Sequence, residues 1–355
     1  SETEFVNAIQ FLVNEGIIQV ESTSSNSNSE KIPDWVKNTA GWWATDAISE
    51  TEFVNAIQFL VNEGIINTKT EFSSQKDVEE FFDERVDTIP RDEFDPNYNS
   101  QGLRGPEFNV EKPDNVYRII AVGGSTTFGD RVEEKFTWPS LLQDSLNNLE
   151  PSKKIEVING ATAGIKNIQK YQLIKGDYSD FDPNLFVLYE GANDITCFLS
   201  EFKNDFSVWN SEKFLEQCGT HLPEEHHIAL ADRFSEICAI GKERDFDVIV
   251  ILQPLVYLEG KILTTQELRS FFDNPSLGIM MDNYDTLRNE VLKKTQGCVG
   301  VHDLSNAFDD YHVPIFFDRV HKGNLGNQII SEHIRDLTLP VLFEKGILDK
   351  IPNDL

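Results

Sequence analysis

Ser125 and the distant pair Asp318-x-x-His321 are the residues whose types and spacing could do chemistry together. A serine hydroxyl becomes a nucleophile when an imidazole takes its proton, and the imidazole needs a carboxylate to fix its tautomer and balance its charge. Ser125 follows the apolar run Tyr117-Arg118-Ile119-Ile120-Ala121-Val122. It sits in the turn Gly123-Gly124-Ser125-Thr126-Thr127-Phe128-Gly129, whose glycines allow a sharp bend that exposes its oxygen. Asp318 and His321, three residues apart, can face one cleft from a single loop or helix start. A glycine turn after a strand can also cradle phosphate. The chain has neither the spaced glycines of a dinucleotide site nor the Lys-Ser/Thr ending of a phosphate loop, so nucleophilic catalysis is the better reading.

Two further blocks lie between these ends. Val157-Ile158-Asn159-Gly160-Ala161-Thr162-Ala163-Gly164 and Leu185-Phe186-Val187-Leu188-Tyr189-Glu190-Gly191-Ala192-Asn193-Asp194 each run from a strand pattern into glycine and polar positions. In an open parallel sheet the carboxyl ends of the strands line one crevice, which brings Ser125, Gly164 and Asn193 together. The backbone N–H groups of Ser125 and Gly164 and the Asn193 amide are suitable donors for the oxyanion of a tetrahedral acyl intermediate. Taken singly, Gly164 reads as a turn glycine, Asn193 as an Asx turn and Asp194 as a helix cap.

As an ordered set, these blocks resemble the SGNH hydrolases, also called the GDSL esterase and lipase family, over roughly the last two thirds of the chain. The resemblance implies Ser125 as nucleophile, His321 as general base, Asp318 as its orienting acid, and Ser125, Gly164 and Asn193 as the oxyanion hole. It also implies a three-layer α/β/α, flavodoxin-like fold around a parallel five-stranded sheet, with no metal and no cofactor. Asn99-Ser100-Gln101-Gly102-Leu103-Arg104-Gly105 and the residues from Asp318 to Asn327 are similar to flanks seen in the family. One departure is visible, because Gly124 stands where the namesake motif has aspartate. The Gly-x-Ser-x-Gly elbow of the α/β-hydrolases is absent.

The elements that must position these residues alternate. Strand patterns near Ile119, Val157, Val187, Ile249 and Val301 are interleaved with helix patterns near Leu141, Tyr171, Phe234, Leu287 and Ile330, which predicts a parallel sheet between helices. The longest apolar stretch, Val248 to Leu252, is a buried strand and not a membrane span, which needs ~20 apolar residues.

The N-terminus is organised differently. Ser1 to Ile18 repeats as Ser49 to Ile66 residue for residue, each copy opening on a Ser-x-x-Glu capping box and continuing with apolar residues at helical spacing. Ile32 to Trp43 supplies a partner helix whose tryptophans cover that stripe. The expected layout is a partial helical repeat over 1–20, a Ser/Asn linker over 21–31, a helical hairpin over 32–68, an acidic extension packing on the catalytic domain over 69–112, and the SGNH domain over 113–348. The first copy lacks its partner helix, so a longer precursor with further repeats is expected. The repeats resemble Trp-containing tandem repeats of exported archaeal proteins, which implies a spacer or a cell-surface attachment module.

A net charge of −29 argues against binding to nucleic acid or to anionic membranes and suits an extracellular or saline setting. Four cysteines allow three pairings; Cys197 with Cys218 is the preferred pair, and four packed thiols are the alternative. His221, His226 and His227 near Cys218 invite a zinc reading, but their spacing fits no standard site, and a solvated Glu224-Glu225-His226-His227 turn is the simpler account. Asp92-Glu93-Phe94-Asp95 lacks the glycine pattern of a calcium loop. Phe198, Phe202, Phe206, Trp209 and Phe214, with Phe271, Phe272, Met280 and Met281, would line an acyl or sugar pocket, form a lid, or simply pack inserted helices. Three functions follow: an exported esterase acting on a small-molecule or glycan ester, an O-acyltransferase using the same residues, or a non-enzymatic surface protein carrying a relic domain.

Overall fold

The computed structural model describes residues 86–198, 225–256, 277–311 and 313–350, with positions 215, 216, 218–220, 261, 263, 264 and 267 between them. The N-terminal repeats, the linker and the first part of the acidic extension, up to position 85, lie outside the described residues.

Five strands form one parallel sheet: β1 (Val116–Gly123), β2 (Lys154–Asn159), β3 (Leu185–Glu190), β4 (Asp247–Leu252) and β5 (Gly300–Asp303). Their order across the sheet is β2-β1-β3-β4-β5, the flavodoxin-like arrangement that the family resemblance implies. Among the described residues these α-helices accompany them: α1 (Ser125–Phe128), α2 (Trp138–Leu149), α3 (Asn167–Lys175), α4 (His226–Arg244), α5 (Leu277–Lys294) and α6 (Asn324–Glu344).

Parallel strands covered on both faces must be apolar on both faces, and β1 and β3 are buried at every residue. Alternate residues feed two cores. Ile120, Val122, Phe186, Leu188 and Val250 join Phe234, Tyr284 and Leu287 on one face. Ile119, Ala121, Leu185, Val187 and Ile249 join Trp138, Leu142, Ile330 and Ile334 on the other. Phe186 is fully buried at the middle of the sheet, so its truncation to alanine would cost about 3–5 kcal/mol.

The edge strand β2 is not left open. Gln143 and Asn147, one turn apart on α2, pair with its backbone: Ile155 N–H donates to Asn147 Oδ1 (3.0 Å), Asn147 Nδ2 to the Ile155 carbonyl (2.8 Å) and Val157 N–H to Gln143 Oε1 (2.9 Å). Side-chain amides thereby stand in for the missing neighbour strand.

Residues 86–112 run along this domain. Arg118, fully buried at the start of β1, donates to the carbonyls of Asn109 and Val110 and pairs with Glu156 at 2.7 Å. Arg104, also buried, donates to the carbonyls of Phe128, Gly129 and Val132, and so secures the turn that leaves α1.

Candidate active site

Ser125 is the first residue of α1, directly after β1. The turn is closed by its own backbone, with Gly129 and Asp130 N–H donating to the Ser125 carbonyl at 2.9 and 3.1 Å. Beneath it Thr126 Oγ1 donates to Gln253 Oε1 at 2.7 Å, tying α1 to the end of β4.

Asp318 and His321 occupy a tight loop between β5 and α6. The loop is shut at its base by an isolated antiparallel bridge between Phe316 and Lys322 and by Phe317 N–H donating to the His321 carbonyl at 3.1 Å. Asp318 Oδ1 accepts the N–H groups of Val320 (2.9 Å) and His321 (2.8 Å), so a local Asx-type turn sets the direction of both side chains. Glu267 holds the strand entering the loop. Its buried carboxylate accepts the N–H groups of Ile315 and Phe316 at 3.0 and 3.1 Å and pairs with Lys261 at 2.8 Å.

Ser125 and His321 lie 196 positions apart in sequence, yet His321 Nε2 is 2.6 Å from Ser125 Oγ, and His321 Nδ1 is 2.7 Å from Asp318 Oδ2. Asp318 accepts at both oxygens, so Nδ1 carries the proton and Nε2 is left to accept from the serine. Burial alone would raise the Asp318 pKa; its hydrogen bond and charge contact with His321 and the two backbone N–H donors outweigh that and bring it down to about 2. Phe317 stacks on the imidazole with ring centroids 5.6 Å apart, and the Arg131 guanidinium covers the other side of Phe317 at 4.6 Å.

Lys322, next along the chain, is 3 % exposed and packs its ammonium over the rings of Tyr189 (5.3 Å) and Phe316 (5.7 Å). Burial pushes its pKa down to about 7, against the pull of Asp318.

Gly164 and Asn193 enter from β2 and β3. Gly164 sits at φ +79°, a left-handed conformation that favours glycine. Its loop is pinned on one side by Thr162 N–H donating to the Gly123 carbonyl (3.3 Å) and on the other by Asn193 Nδ2 donating to the Ile165 carbonyl (2.9 Å). Asn193 packs closely on the departure at position 124: a Cβ there would lie 2.3 Å from Asn193 Nδ2. Glycine lets the amide rest directly against the serine turn.

Several sequence expectations are settled here. Cys197 and Cys218 are disulfide-bonded, with Cα atoms 6.0 Å apart, and a second disulfide joins Cys238 to Cys298, so the packed-thiol alternative is overturned. The solvated turn expected at 224–227 is corrected: His226 is fully buried as the first residue of α4, where it contacts Asp194 and the Cys218 carbonyl. Asp194 does not cap its own turn but receives the first N–H of α3. The side chains of Phe198, Met280 and Met281, and all of His221, Phe202, Phe206, Trp209, Phe214, Phe271 and Phe272, lie outside the described residues. Arg104, Glu267 and Lys322 are buried charged residues that support the site. Nothing in their spacing marks them, and only their burial as charged residues does.

Residues 119–334 match the GDSL-like lipase/acylhydrolase family, more than half of the chain. The chain therefore belongs to that family and is a carboxylic-ester hydrolase. Among solved structures it is similar to an acetylxylan esterase from Geobacillus stearothermophilus (17% identity, 61% of this chain and 92% of that one, TM-score 0.42). It is also similar to an α/β hydrolase enzyme from the metagenome of Lake Arreo, Spain (18% identity, 66% and 97%, TM-score 0.43). No curated protein matches the sequence.

Proposed function

We propose that this hydrolase works through an acyl-serine intermediate, with Ser125 as nucleophile, His321 as general base and Asp318 as the acid that orients it. The observation carrying this reading is His321, which bridges Ser125 Oγ and Asp318 Oδ2 at 2.6 and 2.7 Å. Ser125 Oγ attacks the ester carbonyl while its proton passes to His321 Nε2. The carbonyl oxygen becomes an oxyanion held by the N–H groups of Ser125 and Gly164 and by the Asn193 amide. Collapse expels the alkoxide, which takes the proton back from His321. Water then attacks the acyl-serine with His321 again as base, releasing the acid and restoring the hydroxyl.

The substrate class put forward is an acyl ester of a small molecule or glycan, with acetyl and other short chains first. A location outside the cell or at its surface belongs to this reading and is supported by the disulfides Cys197–Cys218 and Cys238–Cys298, a bond type that persists in oxidising compartments. Among the described residues no helix is long and apolar enough to cross a membrane. The repeats over 1–68 would hold the catalytic domain at that surface, with 69–112 as its extension and 113–348 as the hydrolase proper.

A panel of activated esters of increasing acyl length tests the reading. Free acid is the expected product, its release abolished by Ser125→Ala and unaffected by chelators. If acid appeared only when a sugar acceptor was withheld, and acylated sugar when it was supplied, O-acyl transfer would replace hydrolysis. Unchanged turnover by Ser125→Ala would overturn the mechanism.

A further inference from the structure

The two loops assigned to the oxyanion hole rest on a group of buried charges that the reaction itself does not use. Asp194, directly after Asn193, is fully buried, and both of its carboxylate oxygens accept the N–H of Asn167, the first residue of α3, at 3.2 and 3.1 Å. With Asn193 Nδ2 bonded to the Ile165 carbonyl, the β3 loop grips the loop carrying Gly164 at two points, one on each side of Lys166.

Three basic side chains surround this junction. His226 Nε2 lies 3.3 Å from Asp194 Oδ1, while Nδ1 lies 3.0 Å from the Cys218 carbonyl. The two ring nitrogens thus each face an acceptor oxygen. Arg233, farther along α4, donates Nε to Asn167 Oδ1 (2.6 Å) and Nη2 to the same Cys218 carbonyl (3.2 Å). Lys170, one turn into α3, pairs with Glu190 in a contact where both side chains are almost wholly buried. Burial would raise the Asp194 pKa, but His226, Lys170 and Arg233 more than offset it and hold the carboxyl below its ordinary range. The Cys218 carbonyl, which takes both His226 and Arg233, is covalently tethered through its disulfide to Cys197, four residues after Asn193. The circuit is closed: Asn193, Asp194, His226, Cys218 and Cys197 return to the same turn.

We infer that His226 and Arg233 are positioning residues that fix the Gly164 and Asn193 donors relative to each other through Asp194, with the Cys197–Cys218 disulfide closing the clamp. The inference rests on the oxyanion role proposed above for Gly164 and Asn193. Oxyanion donors stabilise the transition state only when they are preorganised at the position the charge will occupy. Loosening their frame should therefore lower kcat while leaving ground-state binding almost untouched.

The test begins with the wild-type chain and a fluorophosphonate. Labelling at Ser125 upholds the esterase reading; a folded wild type that is not labelled overturns that reading, whatever the clamp does. With labelling in place, His226→Leu is compared with His226→Gln, whose amide can again donate toward Asp194. For His226→Leu the expected result is a fall in kcat and labelling rate of about 10- to 100-fold, below the loss of an oxyanion donor itself, with KM within about twofold. His226→Gln should recover most of that loss. A folded His226→Leu enzyme with wild-type kcat, or no difference between the two variants, would overturn the clamp. Should His226→Leu fail to fold, the double variant Cys197→Ser with Cys218→Ser replaces it. A drop in kcat at constant KM supports the inference, and unchanged kcat sinks it.

Discussion

Among the described residues are two aspartate–histidine pairs, and one difference between them bears on the reactive use proposed for the first. Asp318 and His321 meet at 2.7 Å with the aspartate side chain 41 % exposed; Asp194 and His226 meet at 3.3 Å with 1 % and 0 % exposure. In both pairs the carboxylate also accepts backbone N–H groups. What differs is the far nitrogen of the imidazole. His321 Nε2 faces the Ser125 hydroxyl, a group that can give up a proton and attack; His226 Nδ1 faces the Cys218 carbonyl, which can only accept. The third partner and the access to the crevice are thus what single out Asp318–His321 for the general-base role proposed above.

The largest effect that sharpens this contrast is on turnover. Ser125→Ala or His321→Ala should lower kcat by about 10⁴-fold or more, as members of a catalytic unit do, measured by ester hydrolysis at saturating substrate. A comparable loss on removing His226 would erase the distinction. Next, Asp318→Asn should cost roughly 10³- to 10⁴-fold in kcat, since it favours the wrong tautomer of His321, with only a modest loss of unfolding free energy because the Asp318 side chain is 41 % exposed. Asp194→Asn should do the reverse. It leaves buried cations unmatched, so denaturant unfolding should show a loss of about 3–5 kcal/mol beside a smaller kinetic defect. Equal profiles for the two asparagine variants would collapse the comparison.

A smaller effect concerns Lys322. Its folded pKa of about 7 lies below the ~10.4 of an exposed lysine, so the folded chain binds fewer protons than the unfolded chain between those values. Stability therefore rises with pH across that window, and the burial penalty is fully present below about pH 7. Lys322→Met should raise the melting temperature by roughly 5 °C more at pH 6 than at pH 10. Smallest is the acid limb of Asp318. With its folded pKa at about 2, its contribution is complete above ~3.9 and is lost as pH falls toward 2; Asp318→Asn should flatten that part of the stability curve.

The sheet was legible because its strands are short apolar runs between turn residues, and parallel pairing follows from the interleaved helices. The open pair was equally legible: Asp318 and His321 are three residues apart, and a loop closed by its own backbone needs no distant information. The buried pair was not. Asp194 and His226 lie far apart in the sequence, and their meeting depends on how α4 is laid against α3. Arg233 looks like any charged residue of an amphipathic helix until its burial is known. His226 was expected in solvent for the same reason, since a Glu-Glu-His-His run reads as polar surface whenever its buried partner cannot be foreseen.

The central claim is that Ser125, and no other residue, forms the covalent intermediate under the control of His321. It is tested most directly by treating the intact chain with a fluorophosphonate and locating the adduct by peptide mass spectrometry. The account predicts one adduct per chain, on the peptide carrying Ser125, absent from Ser125→Ala and strongly slowed in His321→Ala. An adduct on any other residue, or labelling of Ser125 at an undiminished rate without His321, would contradict it.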